Sequence, residues 1–441
     1  MFRRSVVPSA EVHATLGKHI LVDGYPFVVD LEKSHGSLVH DALTGNELVD
    51  FYSFFASNPL GFNHPSMKDE RTRERLAAVS TVKVANSDKY TTYYAEFVET
   101  IDRTCGPKDL TKYFFVEGGA LAVENALKTA FDWKVRKNLA AGRGEKGTQV
   151  LHFKHAFHGR SGYTMSLTNT DPNKVDYFPK FDWPRISTPM VTFPLEAHVA
   201  EVEARERTAL AEAEKAFADR PHDIAAIIIE PIQSEGGDHH FRKEFFAQLR
   251  AMADKHEALL IFDEVQTGVG ATGKWWAYEH HGVTPDIVCF AKKMQVGGIF
   301  VGNRIDDVEN VFVKAGRINS TWGGGLVDMV RGTRILEIIA EENLLDNAKT
   351  RGEELLAGLK KIQERHSIVS NTRGLGLLCA FDLPDGKKRD AAIKRCFADG
   401  MLVLSCGSRS VRFRPTLSVS AEIIAEGLAR LEKAITEVEA L

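Results

Sequence analysis

Short apolar segments alternate with longer helical patterns through the middle of this chain, and this alternation constrains its fold more than any other feature. We predict strands at 113–116, 150–153, 224–229, 259–262 and 287–290, and helices at 122–139, 199–218 and 243–256. Strands that alternate with helices build a mostly parallel sheet covered by helices. The sequence therefore predicts an α/β domain that binds its ligands at the carboxyl ends of its strands.

The pattern changes near residue 329, where strands and helices stop alternating regularly. We predict one long helix through 336–342 and 355–362, a strand at 375–381, a helix at 390–398, strands at 402–404 and 411–414, and a terminal helix from Ala421. This order indicates a smaller α+β domain over 329–441, after a large domain over 61–328. Residues 1–60 form an N-terminal segment without a strong period, which could cover either domain or a partner subunit.

Composition argues against several classes of function. The 441 residues carry a net charge of -4 with no basic stripe, so we expect no nucleic-acid partner. No apolar run approaches the length of a membrane span, and Arg3-Arg4 is not followed by the apolar region of a signal peptide. The five cysteines are widely spaced, and no set of His and Cys residues has metal-site spacing. We therefore expect a cytoplasmic protein without a disulfide framework, a metal site or a membrane anchor.

Two of the predicted strands deliver an acid and an amine to one edge of the sheet. Asp263 follows the strand at 259–262, and Lys292 follows the strand at 287–290. Pyridoxal phosphate needs an amine to hold its aldehyde as a Schiff base and an anion to keep its pyridine nitrogen protonated. The pair therefore predicts a pyridoxal phosphate site. Lys293 is the alternative amine, but adjacent side chains at a strand end point to opposite sides, which favours Lys292.

Two loops that follow predicted strands could complete such a site. Gly119 and Ala120 lie between a strand and a helix, where exposed backbone N–H groups can hold a phosphate, although such a turn needs glycine in any case. Phe157 and Arg160 could stack on a planar ring and bind a carboxylate. The alternative for the second loop is a surface segment with a packed phenylalanine, and His158 alone indicates no function.

Charged residues elsewhere suggest a second binding element. Glu235 lies beside Gly236-Gly237 and could be the counter-charge of an arginine, or a solvated loop carboxylate. Arg412 and Arg414 share one side of a predicted strand, and could face a cleft between the domains or lie on the surface of an edge strand.

A GxGxxG pattern at 268–273 raises a nicotinamide-dependent dehydrogenase as a rival. That fingerprint requires glycines directly after a strand and an acidic residue about 20 positions further on. In this sequence, residues 263–267 separate the strand from the glycines, and the acidic residues that follow do not have the required context. The rival is therefore weak.

Taken together, the segments at 119–128, 157–160, 230–233, 263–268 and 285–292 resemble the class III aminotransferases, a branch of the fold-type I pyridoxal phosphate enzymes. The resemblance runs in order from about residue 50 to residue 420. It implies a large domain with a mostly parallel sheet, a smaller C-terminal α+β domain and a homodimer with shared active sites.

The resemblance also implies roles for individual residues. Lys292 would hold the cofactor, Asp263 would pair with its ring nitrogen, and Gln266 would bond the ring hydroxyl. The other implied cofactor contacts are Gly119, Ala120, Phe157, His158, Val265, Ser320 and Thr321, the last reaching the phosphate of the neighbouring subunit. Implied substrate contacts are Arg160, Asn319, and an ion pair of Glu235 with Arg412. Arg414 is the alternative to Arg412.

Within the family, the segments at 53–57, 84–90, 114–124 and 319–324 look most like the L-lysine 6-aminotransferases. This implies transfer of the terminal amino group of L-lysine to 2-oxoglutarate, with 4-aminobutyrate aminotransferase as the close alternative and ornithine aminotransferase as a more distant one. A protein of the same fold without enzymatic activity is disfavoured, because Lys292, Asp263 and Gln266 are all present.

Overall fold

The computed structural model describes residues 7–440, which contain fourteen strands in three sheets. The strands, numbered along the chain, are β1 (Leu38–His40), β2 (Glu47–Asp50), β3 (Lys112–Val116), β4 (Gln149–Phe153), β5 (Arg185–Ile186), β6 (Ile224–Ile229), β7 (Leu259–Asp263), β8 (Ile287–Phe290), β9 (Gly297–Val301), β10 (Ser370–Leu375), β11 (Leu378–Asp382), β12 (Met401–Leu402), β13 (Leu404–Cys406) and β14 (Ser410–Phe413).

Helices of more than ten residues surround these sheets. They are Glu70–Ser80, Thr92–Thr104, Gly119–Ala140, Leu195–Asp219, Lys243–Lys255, Leu326–Glu341, Leu344–Arg365, Gly386–Ala398 and Ala421–Glu439. Shorter α-helical turns are Val12–Leu16, Thr164–Leu167, Pro172–Val175 and Ser234–Gly237, and the 3-10 turns are Ser9–Glu11, Pro65–Met67, Ala277–His280, Lys292–Met294 and Asn303–Asp307. Within residues 7–440, no helix is both long and apolar enough to cross a membrane.

The central sheet has seven strands in the order β3-β9-β8-β7-β6-β4-β5. The pairs from β8 through β7, β6 and β4 to β5 are parallel, and β9 runs antiparallel to both β8 and β3. This arrangement confirms the predicted α/β domain with a mostly parallel sheet. The antiparallel strand β9 was not predicted, because it follows the lysine turn after only a few residues and includes two glycines.

Helices cover both faces of this sheet, because successive side chains of each buried strand point to opposite sides. In β7, Leu259 and Ile261 pack with Leu127 and Trp133 of the helix Gly119–Ala140. Leu260 and Phe262 pack on the other face, in a cluster that includes the helix Lys243–Lys255. Asp263 continues the alternation of Leu259 and Ile261 at the carboxyl end of the strand.

The C-terminal part contains an antiparallel sheet in the order β10-β11-β14-β13. A third sheet joins the two ends of the chain, because β2 of the N-terminal segment pairs with β1 on one side and, in parallel, with β12 on the other. The N-terminal segment thus packs against the C-terminal part of its own chain.

Three elements of the C-terminal part were predicted to be continuous, and these predictions were wrong because each element is interrupted. The predicted long helix is two helices separated at Asn343, which has φ 52°. The predicted strand at 375–381 is the hairpin of β10 and β11, which turns at Gly376 with φ +56°. The predicted strand at 402–404 is divided between two sheets, since β12 pairs with β2 and β13 with β14. Short interruptions of this kind leave the apolar pattern almost unchanged.

The contact between Gly352 and the Gly376 turn gives a test of this packing. A Cβ atom added to Gly352 would lie 2.2 Å from the main-chain carbon of Gly376. Since neither backbone can yield easily, we expect Gly352→Ala to cost on the order of 3 kcal/mol of stability, more than the ~1 kcal/mol that alanine gains in a helix.

The measurement is the midpoint of thermal unfolding, which should fall by several degrees. Gly24→Ala is the control, because a Cβ at Gly24 would meet no atom within 4 Å. Equal midpoints for the two variants would contradict the assigned packing.

Candidate active site

A cavity of about 780 Å³ opens at the carboxyl ends of the parallel strands, where the sheet prediction placed a ligand site. Loops after β3, β4, β6, β7 and β8 supply most of its wall. The lining residues are Ser57, Gly118, Gly119, Ala120, Phe157, His158, Gly159, Arg160, Ser161, Glu230, Glu235, Asp263, Val265, Gln266, Ala291, Lys292, Gln295 and Gly297.

Lys292 lines this cavity, whereas Lys293 does not. The Nζ of Lys293 is buried and donates to the carbonyl oxygens of Gln266 at 2.7 Å and Ala56 at 3.3 Å. The two side chains therefore diverge as predicted, but for a different reason. The strand ends at Phe290, and Lys292 opens a 3-10 turn in the left-handed region with φ +43°.

The surroundings of Lys292 increase the fraction of its amine that is neutral. Burial and, to a smaller extent, the nearby charge of Arg412 lower the pKa of Lys292 to about 8, against the opposing charges of Asp263 and Glu230. A neutral amine is the nucleophilic form. Lys292 thus lies in the cavity wall, and its neutral form is more populated than that of an exposed lysine.

Asp263 is held in a fixed orientation at the end of β7. Its Oδ2 lies 2.7 Å from Nδ1 of His158, and its Oδ1 accepts a hydrogen bond of 3.0 Å from the backbone N–H of Val265. Both His158 and Asp263 are buried. His158 therefore contacts Asp263 directly, and the loop after β4 positions the carboxylate at the end of β7.

The turn before the helix Gly119–Ala140 has the form of a phosphate cradle. Gly118 precedes the helix with φ 89° and provides no side-chain cap. The first N–H groups of an α-helix have no intrahelical partner, and here no capping side chain takes the place of one. A Cβ on Gly119 would lie 2.8 Å from Cγ1 of Val265. Small residues are therefore required here by packing, and the helix dipole favours an anion at this place.

Glu230 is a functional candidate to which the sequence assigned no role. Its carboxylate is buried and accepts from the backbone N–H groups of Phe157 at 3.0 Å and Ser234 at 3.2 Å. Burial raises the pKa of Glu230 to about 7, against the opposing charge of His158. The only available signal was its position at the end of a very apolar strand.

Arg412 and Arg414 are both buried; Arg412 lies in β14, and Arg414 follows the strand directly. Because β14 lies between β11 and β13, the alternative of surface charges on an edge strand was wrong. Nη2 of Arg412 donates to Oε2 of Glu235 at 2.9 Å, so the alternative of a solvated loop carboxylate was also wrong. Arg414 is paired instead with Asp238, whose importance the sequence did not indicate.

Gln266 connects these two arginines. Its Oε1 accepts from Nη1 of Arg412 at 3.1 Å and from Nε of Arg414 at 2.9 Å. An amide whose oxygen accepts two charged donors must direct its NH₂ group elsewhere. The network therefore orients the Gln266 amide as a hydrogen-bond donor at the cavity wall.

The N-terminal segment also reaches the cavity. Four consecutive residues at 53–56 have positive φ, and the following Ser57 lines the wall. The hydroxyl of Ser53 donates to the carbonyl of Arg414 at 2.6 Å, and the carbonyl of Ser57 accepts from Nε2 of Gln295 at 3.1 Å. This segment thus contacts the C-terminal sheet and the lysine loop at once.

Four predicted residues are absent from the lining of the cavity, and three of them are consecutive in the chain. Asn319 and Thr321 are exposed, Ser320 is half-buried, and none of them belongs to the lining. Phe157, Val265 and Arg160 are in the lining, the last with an exposed side chain. The structure therefore brings together all the predicted site residues except Asn319, Ser320, Thr321 and Arg412, and Arg412 bonds the lining residues Glu235 and Gln266.

The GxGxxG pattern has a different role from nucleotide binding. Its glycines follow β7, but no α-helix begins after them. The chain continues instead into the 3-10 turn Ala277–His280. A Cβ on Gly270 would lie 2.9 Å from Leu417, and one on Gly273 would lie 3.0 Å from Lys349. These glycines permit close packing against the C-terminal part.

The site fits the pyridoxal phosphate that the sequence predicts. An amine of lowered pKa, a fixed carboxylate and a helix N-terminus without a side-chain cap surround one cavity. Two buried polar atoms, Nε2 of His158 and Nε of Arg412, have no hydrogen-bond partner in the described part of the chain. Polar groups in such positions require a ligand or water.

Comparison with known proteins gives consistent matches over nearly the whole chain. The family model for aminotransferase class-III matches residues 21–435. The L-lysine-epsilon aminotransferase of Amycolatopsis lactamdurans is 49% identical over 425 residues, covering 96% of this chain and 94% of that protein. The mitochondrial 4-aminobutyrate aminotransferase of Homo sapiens is 34% identical, covering 89% of this chain and 81% of that protein.

A solved structure agrees with the fold as a whole. The lysine aminotransferase from Mycobacterium tuberculosis superposes with a TM-score of 0.96 at 49% identity, covering 98% of this chain and 100% of that one. The similarity therefore includes the central sheet, the C-terminal sheet and the loops around the cavity.

The two adjacent lysines can be distinguished by covalent trapping. We expect borohydride to fix pyridoxal phosphate to Lys292 and to leave Lys293 unmodified, as read by peptide mass mapping. With the apoprotein, the rate of attachment should rise as the pH increases through about 8, because the amine becomes neutral above its pKa.

Lys292→Ala should abolish the trapped product. Lys293→Met is the matched variant, and should retain it while losing stability through the two carbonyl bonds. Label on the peptide at Lys293, or a rate that falls with rising pH, would contradict the assignment.

Proposed function

The chain belongs to the class III aminotransferases, and on this basis we propose that it transfers the terminal amino group of L-lysine to 2-oxoglutarate. The products are 2-aminoadipate 6-semialdehyde and L-glutamate. Its cofactor is pyridoxal 5'-phosphate. The observation that carries the proposal is the Glu235–Arg412 ion pair beside Lys292, in a chain about half identical to L-lysine-epsilon aminotransferases.

Residues around the cavity divide the binding of the cofactor among them. We propose that Gly119 and Ala120 bind its phosphate, that Asp263 faces its ring nitrogen, and that Gln266 donates to its ring hydroxyl. Phe157 and Val265 enclose the ring, and His158 keeps Asp263 in place. The directed NH₂ group of Gln266 and the uncapped helix at Gly119 support these roles.

Lys292 has a second role once its amine is free. When bound, pyridoxal phosphate withdraws electrons and acidifies the C–H bond at the carbon that carries the amino group. The neutral Nζ of Lys292 then removes the proton from Cε of lysine, since a base with a pKa of about 8 is well matched to neutral pH. Asp263 faces the ring nitrogen throughout, held in place by His158.

Two different substrates must use the same cavity. The reacting carbon of lysine carries no carboxylate, whereas the reacting carbon of 2-oxoglutarate does. A buried arginine without a partner would be strongly unfavourable during the first half-reaction. Glu235 pairs with Arg412 in that half and releases it to bind the carboxylate of 2-oxoglutarate in the second, while Arg160 binds the distal carboxylate of either substrate.

We further propose a cytoplasmic homodimer. In it, Ser320 and Thr321 of one subunit approach the phosphate in the other, and Asn319 approaches the substrate. The exposure of Asn319 and Thr321 outside the cavity of their own chain supports this arrangement.

The choice of amino donor is tested with the holoenzyme in the absence of a 2-oxo acid. L-lysine should convert the bound cofactor to its amine form, seen as loss of its visible absorbance, far more efficiently than 4-aminobutyrate or L-ornithine. A stronger response to 4-aminobutyrate or ornithine would reassign the enzyme within the family.

The masking role of Glu235 predicts an asymmetric defect. Glu235→Ala should slow the lysine half-reaction by about tenfold to a hundredfold, because Arg412 is left unpaired in the presence of a substrate without a carboxylate at that position. The glutamate half-reaction should be less affected, and serves as the internal control in single-turnover measurements. Equal losses in both halves would contradict the masking role.

A further inference from the structure

Glu235 is held by two cations rather than one. Oε2 accepts from Nη2 of Arg412 at 2.9 Å, and Oε1 accepts from Nζ of Lys174. Arg412 is buried on β14, whereas Lys174 is half-buried on the short helix Pro172–Val175. Because each carboxylate oxygen has its own partner, one ion pair can break while the other remains.

The position of Lys174 differs from that of a solvated surface lysine. Its Nζ lies 5.9 Å from the centre of the Phe157 ring, in the wall of the active-site cavity. Burial acts to raise the pKa of Glu235, but the charge of Arg412 and the hydrogen bond from Lys174 outweigh it, so that the pKa lies below its usual value. Glu235 is therefore ionised and can maintain both ion pairs.

The proposed function creates a need for this second cation. When Arg412 binds the carboxylate of 2-oxoglutarate, Glu235 loses that partner. A largely buried carboxylate without a counter-ion is unfavourable, and this cost would oppose the opening of the pair. A cation already bonded to the other oxygen would remove most of that cost.

We propose that Lys174 is a positioning residue that retains Glu235 after it leaves Arg412, and thereby allows the site to accept a dicarboxylate. This inference rests on the proposed function for the opening of the Glu235–Arg412 pair. It assigns Lys174 no contact with the substrate. The sequence indicated nothing about Lys174, since it lies 61 positions from Glu235 in a polar loop.

Binding of two unreactive ligands to the holoenzyme tests the role of Lys174. Glutarate carries carboxylates for both Arg160 and Arg412, whereas pentanoate carries only the distal one. Measured by calorimetric titration, Lys174→Met should weaken glutarate binding by about tenfold and change pentanoate binding by less than about twofold. Methionine has a side chain of similar length but removes the charge.

Two further variants separate charge from local structure. Lys174→Arg should restore glutarate affinity because it keeps a cation beside Glu235. Lys180→Met is the matched control, since the Lys180 ammonium donates to the carbonyl of Val175 at 2.5 Å in the same segment and contacts no carboxylate among residues 7–440. It should leave the ratio of the two affinities unchanged.

A combined variant shows whether Lys174 acts through Glu235. In a Glu235→Gln background, Lys174→Met should weaken glutarate no further. Equal weakening of both ligands, no weakening of either, or a loss that persists in the Glu235→Gln background would overturn the inference. So would a wild-type enzyme that binds glutarate no more tightly than pentanoate, because the pair would then not open.

Steady-state kinetics should show that Lys174→Met affects the two half-reactions differently. Lys174→Met should raise the half-saturating concentration of 2-oxoglutarate by about tenfold while that of the amino donor stays within about twofold. Neither glutarate nor pentanoate reacts, so the binding results do not depend on which donor the enzyme uses. An incorrect donor assignment appears only in the separate comparison of lysine, 4-aminobutyrate and ornithine.

Discussion

Two buried arginines that share one amide oxygen join the C-terminal sheet to the active site. Arg412 in β14 and Arg414 directly after it both donate to Oε1 of Gln266 in the loop after β7. Charges at this depth are tolerated only when they are paired, and Glu235 and Asp238 supply the partners. The C-terminal part and the large sheet therefore cannot be regarded as independent bodies, because the charge balance of each depends on the other.

The same network affects the chemistry of Lys292. Burial and the charge of Arg412 both lower the pKa of this lysine, so the arginine that we propose to bind a carboxylate also increases the neutral fraction of the amine. Asp263 opposes this effect from the end of β7 and is itself oriented by His158. In the proposed mechanism, substrate selection and proton transfer are thus coupled through electrostatics within one cavity.

The sequence predicted the parts of this site that follow directly from buried strands. Asp263 and Lys292 were identified because an apolar run ended in a charged residue, and the sheet then placed both at one edge. Asp238 and Lys174 could not be found in this way, because their partners lie far along the chain and no periodic pattern leads to them. The break at Asn343 was missed for a similar reason, since one left-handed residue between two apolar helices leaves their spacing almost intact.

The glycines at 268–273 show that the same residue pattern can occur in a ligand-binding loop and in a packing contact within the protein. In a nucleotide-binding loop, glycine leaves room for a ligand to approach the backbone. In this chain, Leu417 and Lys349 take the place that such a ligand would occupy, and the hairpin turn at Gly376 lies against Ala271 and Thr272. The glycine segment thus packs against another part of the same chain in the way that a nucleotide-binding loop packs against its ligand. A residue pattern alone does not distinguish a cofactor-binding loop from an intramolecular packing contact.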